Sequence, residues 1–291
     1  MRSGESHTST VDRRRELSYD EFVDDYCLPR RPVILTDAIT HWPAARRWTP
    51  AYFADRVGAR HVEIDGRSLT VNELLASLET STAEAPAPYL RAQNVVDIFP
   101  ELAADLEPPV VYSTPNWAYS PLLLPPMRRG RLHEILIGGR GAGFHVLHYD
   151  KDHLHAFISQ LYGEKDFFVY APDQTRFLYP KESTPNQSPV DIFDPDLDRH
   201  PEFVHAEQIR LTLRPGETVF MPPGWWHTTR MHEPSISVTW NSVNATNWDD
   251  FAQDTRVRAT PKGGPAAGIA FDLYARLVGR VLSTTRHVPS R

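Results

Sequence analysis

The stretch HVLHYDKDHLH, residues 145 to 155, places four histidines and two aspartates in eleven positions. Imidazole nitrogens and carboxylate oxygens are protein ligands for first-row transition metals, so the stretch is a candidate metal site. Side chains two apart on extended backbone share a face. His148 and Asp150 can therefore reach one ion while Tyr149 points away. A third ligand must come from elsewhere. The best candidate is His227 in RPGETVFMPPGWWH, where a Pro-Gly turn starts a strand and two tryptophans end it. Two histidines and one carboxylate on one side of an ion leave its other positions open, which suits non-haem ferrous iron.

The remaining histidines fit less well. Five positions separate His148 from His153, so a continuous strand would turn His153 and His155 away from Asp150; they are expected on the loop and at the entry of the next strand. His232 is expected exposed in the HEP turn. A different signal comes from Lys165 in GEKDFFVY: a lysine pointing into an apolar, aromatic strand environment needs an anionic partner, and a bound dicarboxylate would supply one.

The surrounding elements read as strands. Between Tyr89 and residue 247, VVYS, HEILIG, AFISQLYG, DFFVYAP, IRLTLRPG, ETVFMPPG and SISVTWNSV are short β-like runs separated by Pro, Gly and Asn, the texture of a sandwich or barrel. Upstream, SYDEFVDDY offers Ser18 and Glu21 as a capping box. PVILT reads as a buried strand, and Thr49, Pro50 and Gly58 frame a helix, with Gly58 suited to its C-cap. LTVNELLASL is a further capped helix, and TSTAEAPAPY is linker-like. Residues 1–16 are expected to be a disordered tail, 17–247 the functional domain with its N-terminal helical portion, and 248–291 a helical extension. In that extension Phe271, Tyr274, Leu277, Val278 and Val281 recur at helical spacing, a cap helix or a homodimer face through Phe271, Leu277 and Val281.

Composition removes several function classes. No run approaches the eighteen or so apolar residues of a membrane span, and no apolar segment follows the N-terminal charges as in a secretory signal. The single cysteine, Cys27, excludes an internal disulfide and a thiolate-rich zinc module, and fits a reducing cytoplasm. A net charge of −6 argues against general nucleic-acid binding. The basic clusters Arg13, Arg14, Arg15 and Arg128, Arg129, Arg131 read as solvated surface, the second also suiting an acidic segment of a partner. GGRGAG, residues 138 to 143, precedes a strand and lacks a following Lys-Ser or Lys-Thr, so it reads as a turn, not a phosphate cradle. DPDLD, 194 to 198, lacks the Gly and terminal Glu of a calcium loop.

In this order, RPVILTDAITHWPAARRWT, HYD, QLYGEKDFFVYAPDQTRFLYP, NQSPVDIFDPD, LRPGETVFMPPGWWH and SVTWN resemble the JmjC and cupin-like Fe(II)- and 2-oxoglutarate-dependent oxygenases. The likeness is greatest to the small hydroxylase branch that includes the asparaginyl hydroxylase of hypoxia-inducible factor, and it runs from about residue 17 to 247. It implies a mainly β fold with flanking helices around a double-stranded β-helix, or jelly-roll, core. It also implies iron on His148, Asp150 and His227, with 2-oxoglutarate and O2 as co-reactants.

By the same correspondence Lys165, Tyr89 and Thr239 would hold the far carboxylate of 2-oxoglutarate, and Asn241 would lie beside the iron-bound end. The chain departs from the family at His145, three residues before the first ligand, where Thr or Ser usually helps hold the cosubstrate; a histidine there would donate the same bond or crowd the pocket. Arg91, Asn186, Gln187 and Trp225 would border the mouth and contact substrate. Hydroxylation of a peptide, protein or amino-acid-like metabolite is favoured over demethylation. Two other readings stay open: a zinc-dependent hydrolase on the same three ligands, in which Lys165 and Asn241 have no evident task, and a catalytically silent binding protein on a cupin scaffold.

Overall fold

The computed structural model describes residues 10–130, 132–259 and 264–284. The first strands are β1 (Asp12–Arg14), β2 (Val33–Leu35), β3 (His61–Ile64), β4 (Arg67–Thr70), β5 (Leu90–Asn94) and β6 (Glu134–Gly138). They are followed by β7 (His155–Tyr162), β8 (Lys165–Tyr170), β9 (Ile209–Leu213), β10 (Thr218–Met221), β11 (Trp226–Met231) and β12 (Ser235–Ser242). A seven-stranded sheet runs β1-β2-β10-β7-β12-β6-β5, a three-stranded sheet runs β11-β8-β9, and β3 and β4 form a separate hairpin. The two larger sheets form the jelly-roll core, with helices flanking it.

Strand alternation explains how the large sheet separates two cores. Ile135, Ile137, Phe157, Leu161, Phe220, Ile236, Val238 and Trp240 face the N-terminal helical layer, packing with Phe22, Trp42 and Phe53. Leu136, Ala156, Ile158, Val219 and Met221 face the small sheet, packing with Phe167, Val169, Leu211 and Leu213. A sheet covered on both sides reads as continuous apolar runs such as EILIG and TVFM.

The expected helix signals act locally. The Glu21 amide donates to Ser18 Oγ at 3.2 Å and the Ser18 amide donates back to the Glu21 carboxylate at 2.9 Å, starting the helix Tyr19–Phe22. Thr70 and Glu73 repeat the box before Val71–Glu79. Gly58 follows Pro50–Val57 but keeps an ordinary helical φ of −56°. Its role is close approach, because a Cβ there would lie 2.3 Å from the Ala54 carbonyl oxygen and 2.4 Å from Asn72.

Several expectations change. VVYS is a 3-10 turn, Val111–Ser113, not a strand: it follows Pro108 and Pro109, which offer no N–H to a ladder. Of the expected tail, residues 1–9 lie outside the described residues, while Asp12–Arg14 pair in parallel with β2. Arg13 there contacts Glu217, and the Tyr26 hydroxyl bonds Asp12. In the second basic cluster Arg128 donates to the Pro121 and Leu123 carbonyls and Arg129 pairs with Asp152; Arg131 lies outside the described residues. The tract at residues 80–89 is fastened rather than loose: Ser81 Oγ donates to the Arg140 carbonyl at 2.8 Å and accepts from the Ala87 amide at 2.7 Å.

Helices Trp248–Ala259 and Gly264–Thr284 close one end. Phe271, Ala275, Val278 and Leu282 pack inward against Trp117, Trp248 and Phe251. Phe271 therefore leaves the expected dimer face. The outward stripe is Ile269, Leu273, Leu277 and Val281, four apart and exposed.

Candidate active site

The two ligand segments are joined directly. The His148 amide donates to the His227 carbonyl at 3.1 Å and the His227 amide to the His148 carbonyl at 2.6 Å. Opposite each other in this way, the two rings project to one side with centroids 4.6 Å apart. Nδ1 of His148 donates to the Val146 carbonyl at 2.9 Å, and Nδ1 of His227 to the Trp225 carbonyl at 3.0 Å. A carbonyl only accepts, so each Nδ1 carries the proton and each Nε2 keeps a lone pair for a metal. Burial, reinforced by His227, holds the His148 imidazole well below the ordinary histidine range, hence neutral and able to ligate.

Asp150 completes the group: one ligand atom from each of His148, Asp150 and His227 lies within 4.8 Å of the others. The extended HYD backbone is held from its far side. Tyr149 N–H donates to the Asn186 carbonyl at 3.1 Å, Asn186 Nδ2 to the Tyr149 carbonyl at 3.0 Å, and Ser188 N–H to the Leu147 carbonyl at 2.9 Å. The Tyr149 ring meets Trp226 edge-on.

The chain then leaves extended geometry, with Asp152 and His153 at φ of 63° and 48°. The break, rather than strand parity, separates the other histidines. His153 bonds Asp254 at 2.6 Å, and His155 enters β7 with Nε2 against Thr246 Oγ1. His232 is half-exposed but not idle, since its Nε2 lies 2.7 Å from buried Asp166.

A cavity of about 360 Å³ opens from the three ligands into the space between the sheets. Lys165, on β8, is fully buried in its wall. Nζ donates to Ser237 Oγ at 2.5 Å, across to β12, and no carboxylate among the described residues accompanies it; burial pushes its pKa down to about 7. Tyr89 lines the same cavity, and its buried hydroxyl has no hydrogen-bond partner among the described residues. Burial pushes that phenol above its ordinary range. An ammonium without a carboxylate and a hydroxyl without a partner in the wall of one cavity are costly as they stand and fit an incoming carboxylate. Thr239 and Asn241 lie two apart on β12 and line the wall as well.

Five of the anticipated positions lie elsewhere. His145 is exposed and off the cavity lining; the inward side chain is its neighbour Phe144, whose ring sits 5.1 Å from that of His148. Thr228 Oγ1 bonds the Phe144 carbonyl and the Phe144 amide reaches Thr229 Oγ1, fixing which of the two turns in. Arg91 lies outside the lining, its guanidinium over the Phe144 ring at 5.5 Å from the centroid. Asn186 and Gln187 pair with the HYD backbone instead of lining the cavity. Trp225 is buried in the intersheet core and anchors the Arg30 carbonyl at 2.7 Å.

Sequence reasoning missed Thr229, Tyr119 and, above all, Glu134, which lines the cavity from β6. The signal was present: in HEILIG, Glu134 shares strand parity with Leu136, so a carboxylate in an apolar run faces the same side as the pocket.

A family model described as a cupin-like domain matches residues 19–244. The chain belongs to the cupin-like JmjC family. It is 29% identical over 238 residues to a frog protein named lysine-specific demethylase 8 (Xenopus tropicalis), covering 76% of this chain and 50% of that protein. Against a fly protein named Jumonji C domain-containing protein 5 (Drosophila melanogaster) identity is 28%, with 76% and 57% covered. A human protein named bifunctional peptidase and (3S)-lysyl hydroxylase JMJD7 is 26% identical over 278 residues, 81% of this chain and 82% of that one. The JmjC chain thus spans about half the length of the frog and fly proteins. Among the described residues, no helix is long and apolar enough to cross a membrane.

Proposed function

We propose that this JmjC protein is an Fe(II)- and 2-oxoglutarate-dependent oxygenase that hydroxylates a C–H bond of a peptide, protein side chain or amino-acid-like metabolite. The observation that carries the reading is the buried Lys165, paired among the described residues only with Ser237 Oγ, and the Tyr89 hydroxyl, which has no partner among them, in the wall of the one cavity that His148, Asp150 and His227 open into. A hydrolytic zinc site leaves both groups without a task.

His148, Asp150 and His227 would hold iron; Lys165, Tyr89 and Thr239 would take the far carboxylate of 2-oxoglutarate, with Asn241 beside the metal end. When bound, iron and 2-oxoglutarate supply the oxidising power by which O2 and a C–H bond become C–OH, with succinate and CO2 released. The chain's own part is placement and exclusion of water. Lys165 gains an ion pair and Tyr89 an acceptor, and the apolar wall of Leu136, Ile158 and Phe167 keeps solvent from the cosubstrate chain.

A second cavity of about 400 Å³ abuts the first across Tyr119 and Trp240, which favours a peptide or protein over a single amino acid. Hydroxylation is a step compatible with both a demethylase and a lysyl hydroxylase, as two of the relatives are named, because an N-methyl group hydroxylated on carbon loses formaldehyde unaided. A second copy of the chain is the partner we assign to the stripe Ile269, Leu273, Leu277 and Val281, and a reducing cytoplasm, in keeping with free buried Cys27, the compartment. The test is 2-oxoglutarate- and O2-dependent succinate release with iron and ascorbate, with a gain of one oxygen on substrate. Turnover that persists with zinc and without 2-oxoglutarate would overturn it.

A further inference from the structure

The arginine of the turn GGRGAG borders a hollow of about 280 Å³ on the outer face of the small sheet. Strand alternation makes that face polar. Lys165 and Phe167 turn into the cavity between the sheets, so Asp166 and Phe168 turn outward. The register sets Asp166 opposite Arg230 on β11 and Thr212 on β9, and Phe168 opposite Arg210. The turn is clasped to β11 by two backbone hydrogen bonds, Gly141 N–H to the Met231 carbonyl at 2.9 Å and Met231 N–H to the Ala142 carbonyl at 2.8 Å. This clasp brings Arg140 to the hollow that Arg210 and Arg230 already line.

The hollow holds more positive charge than it balances. Asp166 is its only lining carboxylate among the described residues, and that group is fully engaged: Arg210 Nε donates at 2.7 Å, Thr212 Oγ1 donates at 2.6 Å, and His232 Nε2 lies 2.7 Å away. Three guanidinium groups against one carboxylate leave an excess of two charges before any contribution from His232. Arg140 and Arg230 carry that excess, because neither has an ion-pair or hydrogen-bond partner for its side chain among the described residues. Arg230 is nonetheless held in place. Its guanidinium lies over the Phe193 ring at 4.2 Å from the centroid, Phe193 meets Phe168 edge-on at 5.0 Å, and Arg210 lies over Phe168 at 5.7 Å. A guanidinium stacked by its face keeps its rim of N–H donors free for an oxyanion.

We propose that this hollow binds a phosphate monoester through Arg140 and Arg230, with Phe193 and Asp166 holding the arginines of the site in position. Guanidinium forks match phosphate oxygens, and a phosphate monoester carries two negative charges on one tetrahedral head. A dicarboxylate spreads the same charge along a chain. The site lies on the opposite face of the small sheet from Lys165 and is independent of the oxygenase reading.

The test is calorimetry with two probes, inorganic phosphate and a peptide pool centred on phosphoserine. The chain carries Mn(II) and N-oxalylglycine, which keep both probes out of the cosubstrate cavity. At least one probe is expected to bind with a Kd at or below about 1 mM. Arg140→Gln and Arg230→Gln, both at side chains that reach solvent, are each expected to weaken it tenfold or more, and Arg230→Lys less than Arg230→Gln. Succinate, as a dicarboxylate, is expected to bind at least tenfold more weakly than phosphate. A pool bound more tightly than phosphate points to a phosphorylated protein as the source, and the reverse order to a small phosphate ester; both support the site. Absence of saturable binding by either probe, an affinity that the two Gln variants leave within twofold of wild type, or succinate bound as tightly as phosphate would overturn it. The readout is dependence on Arg140 and Arg230, so it stands whether or not succinate release is observed in turnover.

Discussion

His148 and His227 face each other across a two-way backbone hydrogen bond, each ring pinned by its Nδ1 to the carbonyl two residues before it. Both Nε2 atoms are thereby presented by hydrogen bonds to backbone carbonyls. Asp150 depends on the same extended segment.

His227→Ala and Asp150→Ala are each expected to abolish succinate release and to lose bound iron. Iron content after desalting, read together with turnover, checks this. A variant retaining both would mean that a different ligand set holds the metal.

Lys165→Met removes the only buried ammonium that lines the pocket among the described residues. Cosubstrate binding is expected to weaken by about 3–5 kcal/mol, roughly a hundredfold or more, measured by calorimetry with Mn(II). Lys165 has a folded pKa near 7 against 10.5 when exposed, so the unfolded chain binds the extra proton between those values. The empty protein therefore carries a destabilisation that is full below about pH 7 and gone above about 10.5. Without cosubstrate, Lys165→Met is expected to melt higher than wild type at pH 6, with the gain shrinking toward pH 10. In the wild type, 2-oxoglutarate affinity is expected to fall as pH rises above about 7, since binding must then take up a proton.

Asn186→Ala tests placement against substrate contact. The lost bond to the Tyr149 carbonyl frees the segment carrying His148 and Asp150, so metal affinity is expected to drop by about tenfold or more. A side chain that only touched substrate would change KM and leave metal affinity alone.

For the last helix, the double variant Leu273→Glu, Leu277→Glu is expected to convert a dimer to a monomer in light scattering while the fold persists, because both side chains are exposed. Phe271→Ala, by contrast, is expected to cost about 3–5 kcal/mol of stability, as for a buried Phe. A wild-type chain that runs as a monomer would remove the second copy from that stripe.

Much of the centre was legible because it is local. His148 and Asp150 owe their shared direction to strand alternation, and Ser18, Thr49 and Thr70 cap helices through contacts three residues long. What failed required tertiary information. Phe144 rather than His145 turns inward because Thr228 and Thr229, 84 and 85 residues away, hold its backbone. Trp225 and Asn186 looked like mouth residues by analogy, yet the Arg30 and Tyr149 carbonyls claim their polar atoms. Phe271 and Leu277 share helical periodicity with Val278, but the helix meets Trp117 and Trp248 on only one side, and only contact decides which.

The Lys165–Ser237 bond joins β8 of the small sheet to β12 of the large one, whereas His148 and His227 are tied to each other at the small sheet's edge. A slight parting of the two layers would widen the cosubstrate's berth and leave the imidazole pair undisturbed. Damage to the filling between the layers, at Ile158 or Val219 for instance, should accordingly be felt as hunger for 2-oxoglutarate long before iron is shed.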